Sequence, residues 1–192
     1  MSGDSLQIVL RVVDVLEELG ARYHFGGSWA SSIHGVPRQT QDLDLVVDLP
    51  HSAVPILVSR LEGEFYLDEE RIRQAIQKRS SFNLIHLATG FKIDMFLRGP
   101  GEFDRLELER SGPQRIGAGE ERVVFVKSAE DTLLRKLQWY RLGGETSERQ
   151  WTDALGIVKE QGDRLDREHM RRWAGDLGVS DLLERALEHR PE

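Results

Sequence analysis

Asp42-Leu43-Asp44-Leu45-Val46-Val47-Asp48-Leu49 is the stretch that decides the fold class. Leu43, Leu45, Val47 and Leu49 face one way, and Asp42, Asp44 and Asp48 face the other. This period of two predicts a half-buried strand with one polar face. Asp42 and Asp44 are two residues apart, so their carboxylates leave the same side of the strand. Two such groups side by side repel, and each raises the other's pKa. A chain accepts that arrangement to hold a hard divalent cation, and Mg²⁺ takes oxygen ligands. Taken alone, an Asp-Leu-Asp is an ordinary solvent-facing strand, so its surroundings have to decide.

On the N-terminal side, Leu6 to Leu19 is apolar at helical spacing and stops at Gly20. Tyr23-His24-Phe25 predicts a short strand that runs into Gly26-Gly27-Ser28. Trp29 to His34 then predicts one to two helical turns, ended by Gly35 and Pro37. Glycines let backbone approach a phosphate, and the start of a helix offers free N–H groups and a positive dipole end. Ser28 can add a hydroxyl to that cradle. A phosphate-binding turn followed by a paired-carboxylate strand is far more specific than either feature alone.

On the C-terminal side, helices are predicted over 54–61, 70–79 and 102–109. Residues 82–87 and 91–97 flank Thr89-Gly90 and predict a β-hairpin. In its second arm Ile93, Met95 and Leu97 share a face, with Lys92 and Asp94 opposite. Asp94 is the candidate third carboxylate. Residues 112–119 predict a turn-rich link, and 123–126 the last strand. Beyond 126 the pattern is helical. Ser128 with Asp131 and Ser147 with Gln150 predict two capping boxes, and further helices are expected over 167–177 and 181–190. The expected organisation is an α/β core over 1–126 and a helical region over 127–192 packed on it.

The chain has 192 residues, with 26 Lys plus Arg against 33 Asp plus Glu, for a net charge of −7. That balance argues against a large nonspecific nucleic-acid footprint, which needs many Lys/Arg–phosphate contacts. Zero cysteines exclude disulfides, thiolate nucleophiles and Cys-ligated zinc. No apolar run is long enough to span a membrane, and the N-terminus lacks a signal-peptide pattern. A cytoplasmic location is expected.

The run Tyr23-His24-Phe25-Gly26-Gly27-Ser28, followed by Pro37-Arg38-Gln39-Thr40-Gln41-Asp42-Leu43-Asp44-Leu45, resembles the nucleotidyltransferase superfamily signature. The third carboxylate of that signature is matched by Phe91-Lys92-Ile93-Asp94-Met95-Phe96. The closest likeness is to AbiEii-like and minimal nucleotidyltransferases. In those, a Lys on one C-terminal helix accompanies an Arg/Asp motif on the next, matched here by Lys136 and by Arg149 with Asp153.

The resemblance implies an α+β fold: a small mixed sheet flanked by helices, then a C-terminal helical bundle. It implies transfer of a nucleoside monophosphate from an NTP to an acceptor hydroxyl, with release of pyrophosphate. Asp42, Asp44 and Asp94 would hold two Mg²⁺, or Mn²⁺ in their place, and carry the chemistry. Gly26, Gly27 and Ser28 would cradle the phosphates. Arg38 would bind phosphate or pin its loop to a carboxylate, and Lys136 would meet the triphosphate. Asp153 would orient Lys136 or Arg149, or simply pair with Arg149 as an i,i+4 helix bridge.

The acceptor is open between an RNA end, a protein side chain and a small molecule. A catalytically inactive partner in a toxin–antitoxin module is the alternative, and an Asp-x-Asp glycosyltransferase leaves the Gly-Gly-Ser turn without a role. Arg71 to Arg79 carries four basic residues and no acid, and is the place to look for a polyanionic acceptor. Trp139, Trp151 and Trp173 are expected in the core, and Tyr140 is the candidate for base stacking.

Overall fold

The structure is a computed structural model describing residues 3–39, 42–117 and 121–189. Thr40 and Gln41 of the signature loop, the end of the 112–119 link and Arg190 lie outside these residues. The chain forms two compact units: Met1–Phe25 with Gln39–Val126, and Gly26–Arg38 with Lys127–Glu192. Within the described residues no helix is long and apolar enough to cross a membrane.

The first unit holds a mixed seven-stranded sheet. Its strands are β1 (Arg22–Phe25), β2 (Leu43–Asp48), β3 (Phe65–Tyr66), β4 (Ser81–His86), β5 (Lys92–Leu97), β6 (Gly112–Ile116) and β7 (Arg122–Val126). They are ordered β3-β4-β5-β2-β1-β7-β6. β2 pairs antiparallel with β1 and parallel with β5, and β4 and β5 form the predicted hairpin. The period-two pattern of β2 is obeyed: Leu43, Leu45 and Val47 are buried, and Asp44, Val46 and Asp48 alternate with them on the more open face. β5 and β4 continue both faces. Ile93, Met95, Leu97, Phe82 and Leu84 extend the apolar side, and Asp94 and Asn83 extend the polar one.

Helices of this unit bury complementary apolar stripes. α1 (Gly3–Glu18) contributes Val9, Val12, Val13 and Leu16. α3 (Val54–Leu61) contributes Leu57 and Leu61, and α4 (Glu69–Lys78) contributes Ile72 and Ala75. Fully burying each Val, Leu or Ile stabilises by about 1.5–3 kcal/mol, which is what holds an otherwise polar α4 in place. Asp68 caps α4 by accepting from the Arg71 N–H. α5 (Glu102–Glu109) occupies the predicted residues.

Two strands were not legible in the sequence. β6 replaces the expected turn-rich link over 112–116. It is an edge strand with no buried residue, so it carries no apolar alternation, and Pro113 is tolerated because the strand has an unpaired side. β3 is two residues long, too short for any pattern.

The second unit is helical: α2 (Gly27–His34), α6 (Ala129–Leu142), α7 (Glu148–Gln161), α8 (Arg167–Asp176) and α9 (Ser180–Glu188). Ser128 caps α6 as predicted, accepting from the Asp131 N–H at 3.1 Å. The second predicted capping box does not form, because Ser147 makes no side-chain cap bond. Trp173 is buried as expected, but Trp139 is 57% exposed. The end of α2 meets α7 at a glycine contact, where a Cβ on Gly35 would stand 2.8 Å from the Ile157 nitrogen. That close approach fixes the helix that begins with the Gly-Gly-Ser turn.

Candidate active site

In the first unit, the parallel pairing of β2 and β5 sets Asp44 directly beside Asp94 in register. Both side chains lie on the open face of the sheet. Asp42 immediately precedes β2 and is exposed, and Asp44 is half-buried. Asp94 accepts a short hydrogen bond from the Asn83 side-chain amide and an ion pair from Lys92 Nζ at 2.9 Å. The hydrogen bond to Asp94 raises the Lys92 pKa, and the charges of Asp94, Asp42 and Asp44 add to it against a smaller opposing effect of burial. The contact itself is with Asp94 alone.

The chemistry of the donor set is the test of whether these residues fit a metal. The donor set is all oxygen and already accommodates one positive charge, as a hard divalent ion requires. With the side chains as they stand, no three His, Asp or Glu among the described residues converge into a ready ion cage. Asp94 is turned toward Asn83 and Lys92. Metal binding at the trio would exchange the Lys92 contact for the ion.

Asp48, the third acid on the same face of β2, has a different environment. Arg98 reaches it at 3.1 Å, Arg22 at 3.5 Å and Arg79 at 3.7 Å. Three arginines therefore surround that carboxylate.

In the second unit, Gly26 and Gly27 make the turn into α2. Gly27 has φ +51°, a left-handed conformation that glycine adopts without strain. Ser28 Oγ accepts from Arg38 Nη2 at 2.6 Å. The same guanidinium donates through Nε and Nη2 to the two oxygens of Asp153, both at 3.0 Å. Lys136 Nζ reaches the same carboxylate at 2.8 Å, and both of those side chains are only 7% exposed. Burial alone would raise the Asp153 pKa, but hydrogen bonds and charge from Arg38 and Lys136 outweigh it and hold it below the usual carboxylate range.

The sequence left three roles open for this group. In the structure Arg38 is on a carboxylate and Asp153 orients Lys136 and Arg38, where Arg149 was the other expected partner. Lys136 is buried against Asp153. Tyr140, the stacking candidate, is itself buried, with its ring 5.4 Å from that of Trp151. His34 is half-buried and bonds the Lys127 carbonyl through Nε2 at 2.7 Å, and burial lowers its pKa.

Sequence reasoning missed Asn83 and Lys92 as members of the site. Lys92 was legible, since it stands two residues before Asp94 on the same face of one strand. Asn83 needed the hairpin register, which pairs it with Asp94.

No family model and no curated protein matches the chain. Two solved structures share its architecture. An antigenic nucleotidyltransferase-like protein from Paracoccidioides brasiliensis aligns at TM-score 0.54 and 17% identity, over 100% of this chain and 96% of that one. The antibiotic-resistance factor ANT(2'')-Ia aligns at TM-score 0.53 and 13% identity, over 96% of this chain and 99% of that one. The fold is that of the nucleotidyltransferases.

Proposed function

We propose that the chain is a Mg²⁺-dependent nucleotidyltransferase, moving a nucleoside monophosphate from an NTP to an acceptor hydroxyl and releasing pyrophosphate. The observation that carries this reading is the side-by-side placement of Asp44 and Asp94 on paired strands, with Asp42 immediately before the first of them. A binding scaffold gains nothing from clustered like charge.

Asp42, Asp44 and Asp94 are the residues that would hold the metal. When bound, two ions at these carboxylates would lower the pKa of the acceptor hydroxyl and neutralise charge on the leaving side. Asp94 takes the acceptor proton, with Asn83 setting the direction of its carboxylate. The acceptor oxygen bonds to the α-phosphorus, the bond from the α-phosphorus to the bridging oxygen breaks, and the negative charge leaves with pyrophosphate. Ser28 Oγ accepts from Arg38, so its own hydrogen points elsewhere and can donate to a phosphate oxygen. Backbone N–H groups at the start of α2 add to that donor set. Arg38 holds Ser28 directly, and Lys136 acts through Asp153, which fixes Arg38. The contact of Lys136 on α6 with Asp153 on α7 supports placing the chain near the AbiEii-like and minimal types.

Pyrophosphate release with each common NTP, with and without Mg²⁺ and with cell extract as the acceptor source, tests this in wild type and Asp44→Asn. Metal-dependent release by wild type alone is expected. Equal release by both proteins would refute the assignment. The engagement of Asp94 by Asn83 and Lys92 favours one competing reading, a non-catalytic protein with this fold. In that case Mg²⁺ would have no effect on nucleotide binding.

A further inference from the structure

α4 and β4 enclose a cavity of about 410 Å³ within the first unit. It arises because β3 covers only the C-terminal end of β4, at Ile85 and His86, and leaves the start of that strand open beside α4. Arg71, Lys78 and Lys92 line the cavity, and Asp68 is its only acid, so the lining has a net charge of two positive in a chain of net −7. Arg71, Gln74, Ala75 and Lys78 follow i, i+3, i+4, i+7 spacing, so one face of α4 is turned to the cavity.

The two remaining basic residues of that helical stretch are committed elsewhere. Arg73 bonds Glu69 at 2.9 Å, and Arg79 reaches toward Asp48. Lys78 has no hydrogen bond or ion pair among the described residues. Arg71 has an ion pair to Asp68 at 3.7 Å, with its side chain 78% exposed. A pair that open is worth little and leaves the guanidinium able to turn to a ligand. Local positive charge on an acidic protein concentrates anions where it is placed.

The cavity also touches the proposed reaction centre. Asn83 and Lys92 line it, and both bond Asp94. Tyr66, 58% exposed, forms a wall against which a sugar or base ring can lie. A volume of this size suits a ligand of about one nucleotide or a sugar phosphate.

We infer that this cavity is the acceptor subsite and that it takes a phosphate-bearing acceptor, the phosphate held by Arg71 and Lys78 and a hydroxyl directed toward Asp94. This rests on the nucleotidyltransferase reading for its role. The phosphate is a binding handle and does not react. The shared chemistry has two sources, a free sugar phosphate or the phosphodiester at an RNA end.

Calorimetric titration of the full chain in Mg²⁺-free buffer, with ribose 5-phosphate, ribose and a short RNA oligomer, tests the site without requiring turnover. Arg71→Gln/Lys78→Gln should bind ribose 5-phosphate about tenfold more weakly than wild type and with a smaller salt dependence. Ser28→Ala, which alters the other phosphate candidate, should bind it as wild type does. Asp44→Asn should retain binding, so loss of activity there and loss of binding here are separate results. Tighter binding of the oligomer that is lost in the double variant assigns the RNA end, and equal binding assigns the small phosphate ester. Both substitutions are at exposed positions, and unchanged thermal melting verifies folding. Undiminished binding by the double variant, or ribose binding as tightly as its phosphate, would overturn the proposal.

Discussion

Asp153 in the helical unit and the trio Asp42, Asp44 and Asp94 in the sheet unit are opposite solutions to placing acids in a fold. Asp153 is one nearly buried carboxylate gripped by two cations, Arg38 and Lys136. In the trio, Asp94 is paired with Lys92, whose side chain is 41% exposed, and Asp42 is itself exposed. A buried acid with excess positive charge is already satisfied, and breaking it leaves an uncompensated charge. A more open group of carboxylates is within reach of an added cation. The first arrangement is a buried structural pair and the second is the one the proposed function uses, although both read in sequence simply as aspartates.

The largest expected difference is between activity and stability. Asp44→Asn should lower pyrophosphate release by about a thousandfold, roughly 4 kcal/mol of transition-state stabilisation, with little change in melting temperature, since the side chain is half-buried and keeps its size. Asp153→Asn should do the reverse. It should cost about 3 kcal/mol of stability in denaturant unfolding, because Lys136 and Arg38 lose their shared carboxylate.

The pH dependence separates the two as well. The folded-state pKa of Asp153 is depressed, so its contribution is fully present above the unfolded value. It is lost as pH falls through the folded value. Wild type should therefore lose stability more steeply than Asp153→Asn in acid melts below about pH 4. Parallel acid curves for the two proteins would remove the distinction drawn here.

The placement of Asp44 beside Asp94 was legible in the sequence and the Asp153 group was not, for a physical reason. Alternation along 42–49 and 91–97 fixes which residues share a sheet face, so the pairing of Asp44 with Asp94 needed only the order of two strands. Asp153 meets Arg38 from 115 positions away. Its nearest readable partner, Arg149, sits at ordinary i,i+4 spacing, and no local period reveals which cation tertiary packing will bring. β6 was illegible in the same way, because a solvent-exposed edge strand is defined by pairing with β7 and not by its own residues. The tight passage of Gly35 against α7 was equally hidden, since only packing makes that glycine obligatory.

Two smaller effects sharpen the comparison. Gly35→Ala forces a Cβ against the backbone of α7 and should cost about 2 kcal/mol in thermal or denaturant unfolding. Wild-type stability in that variant would mean the helix contact is not a rigid support for the Gly-Gly-Ser turn. Lys92→Met should tighten Mg²⁺ binding by about fivefold in calorimetry, because the resident ammonium no longer competes for the carboxylates. Weaker binding would show instead that Lys92 holds Asp94 in the ligating direction.

The most direct test is calorimetric titration of Mg²⁺ with ATP into wild type and Asp44→Asn, side by side. The account predicts metal-dependent nucleotide binding by wild type and its loss in the variant, with both proteins equally folded. Nucleotide binding by wild type that is indifferent to Mg²⁺, or unchanged in Asp44→Asn, would contradict it.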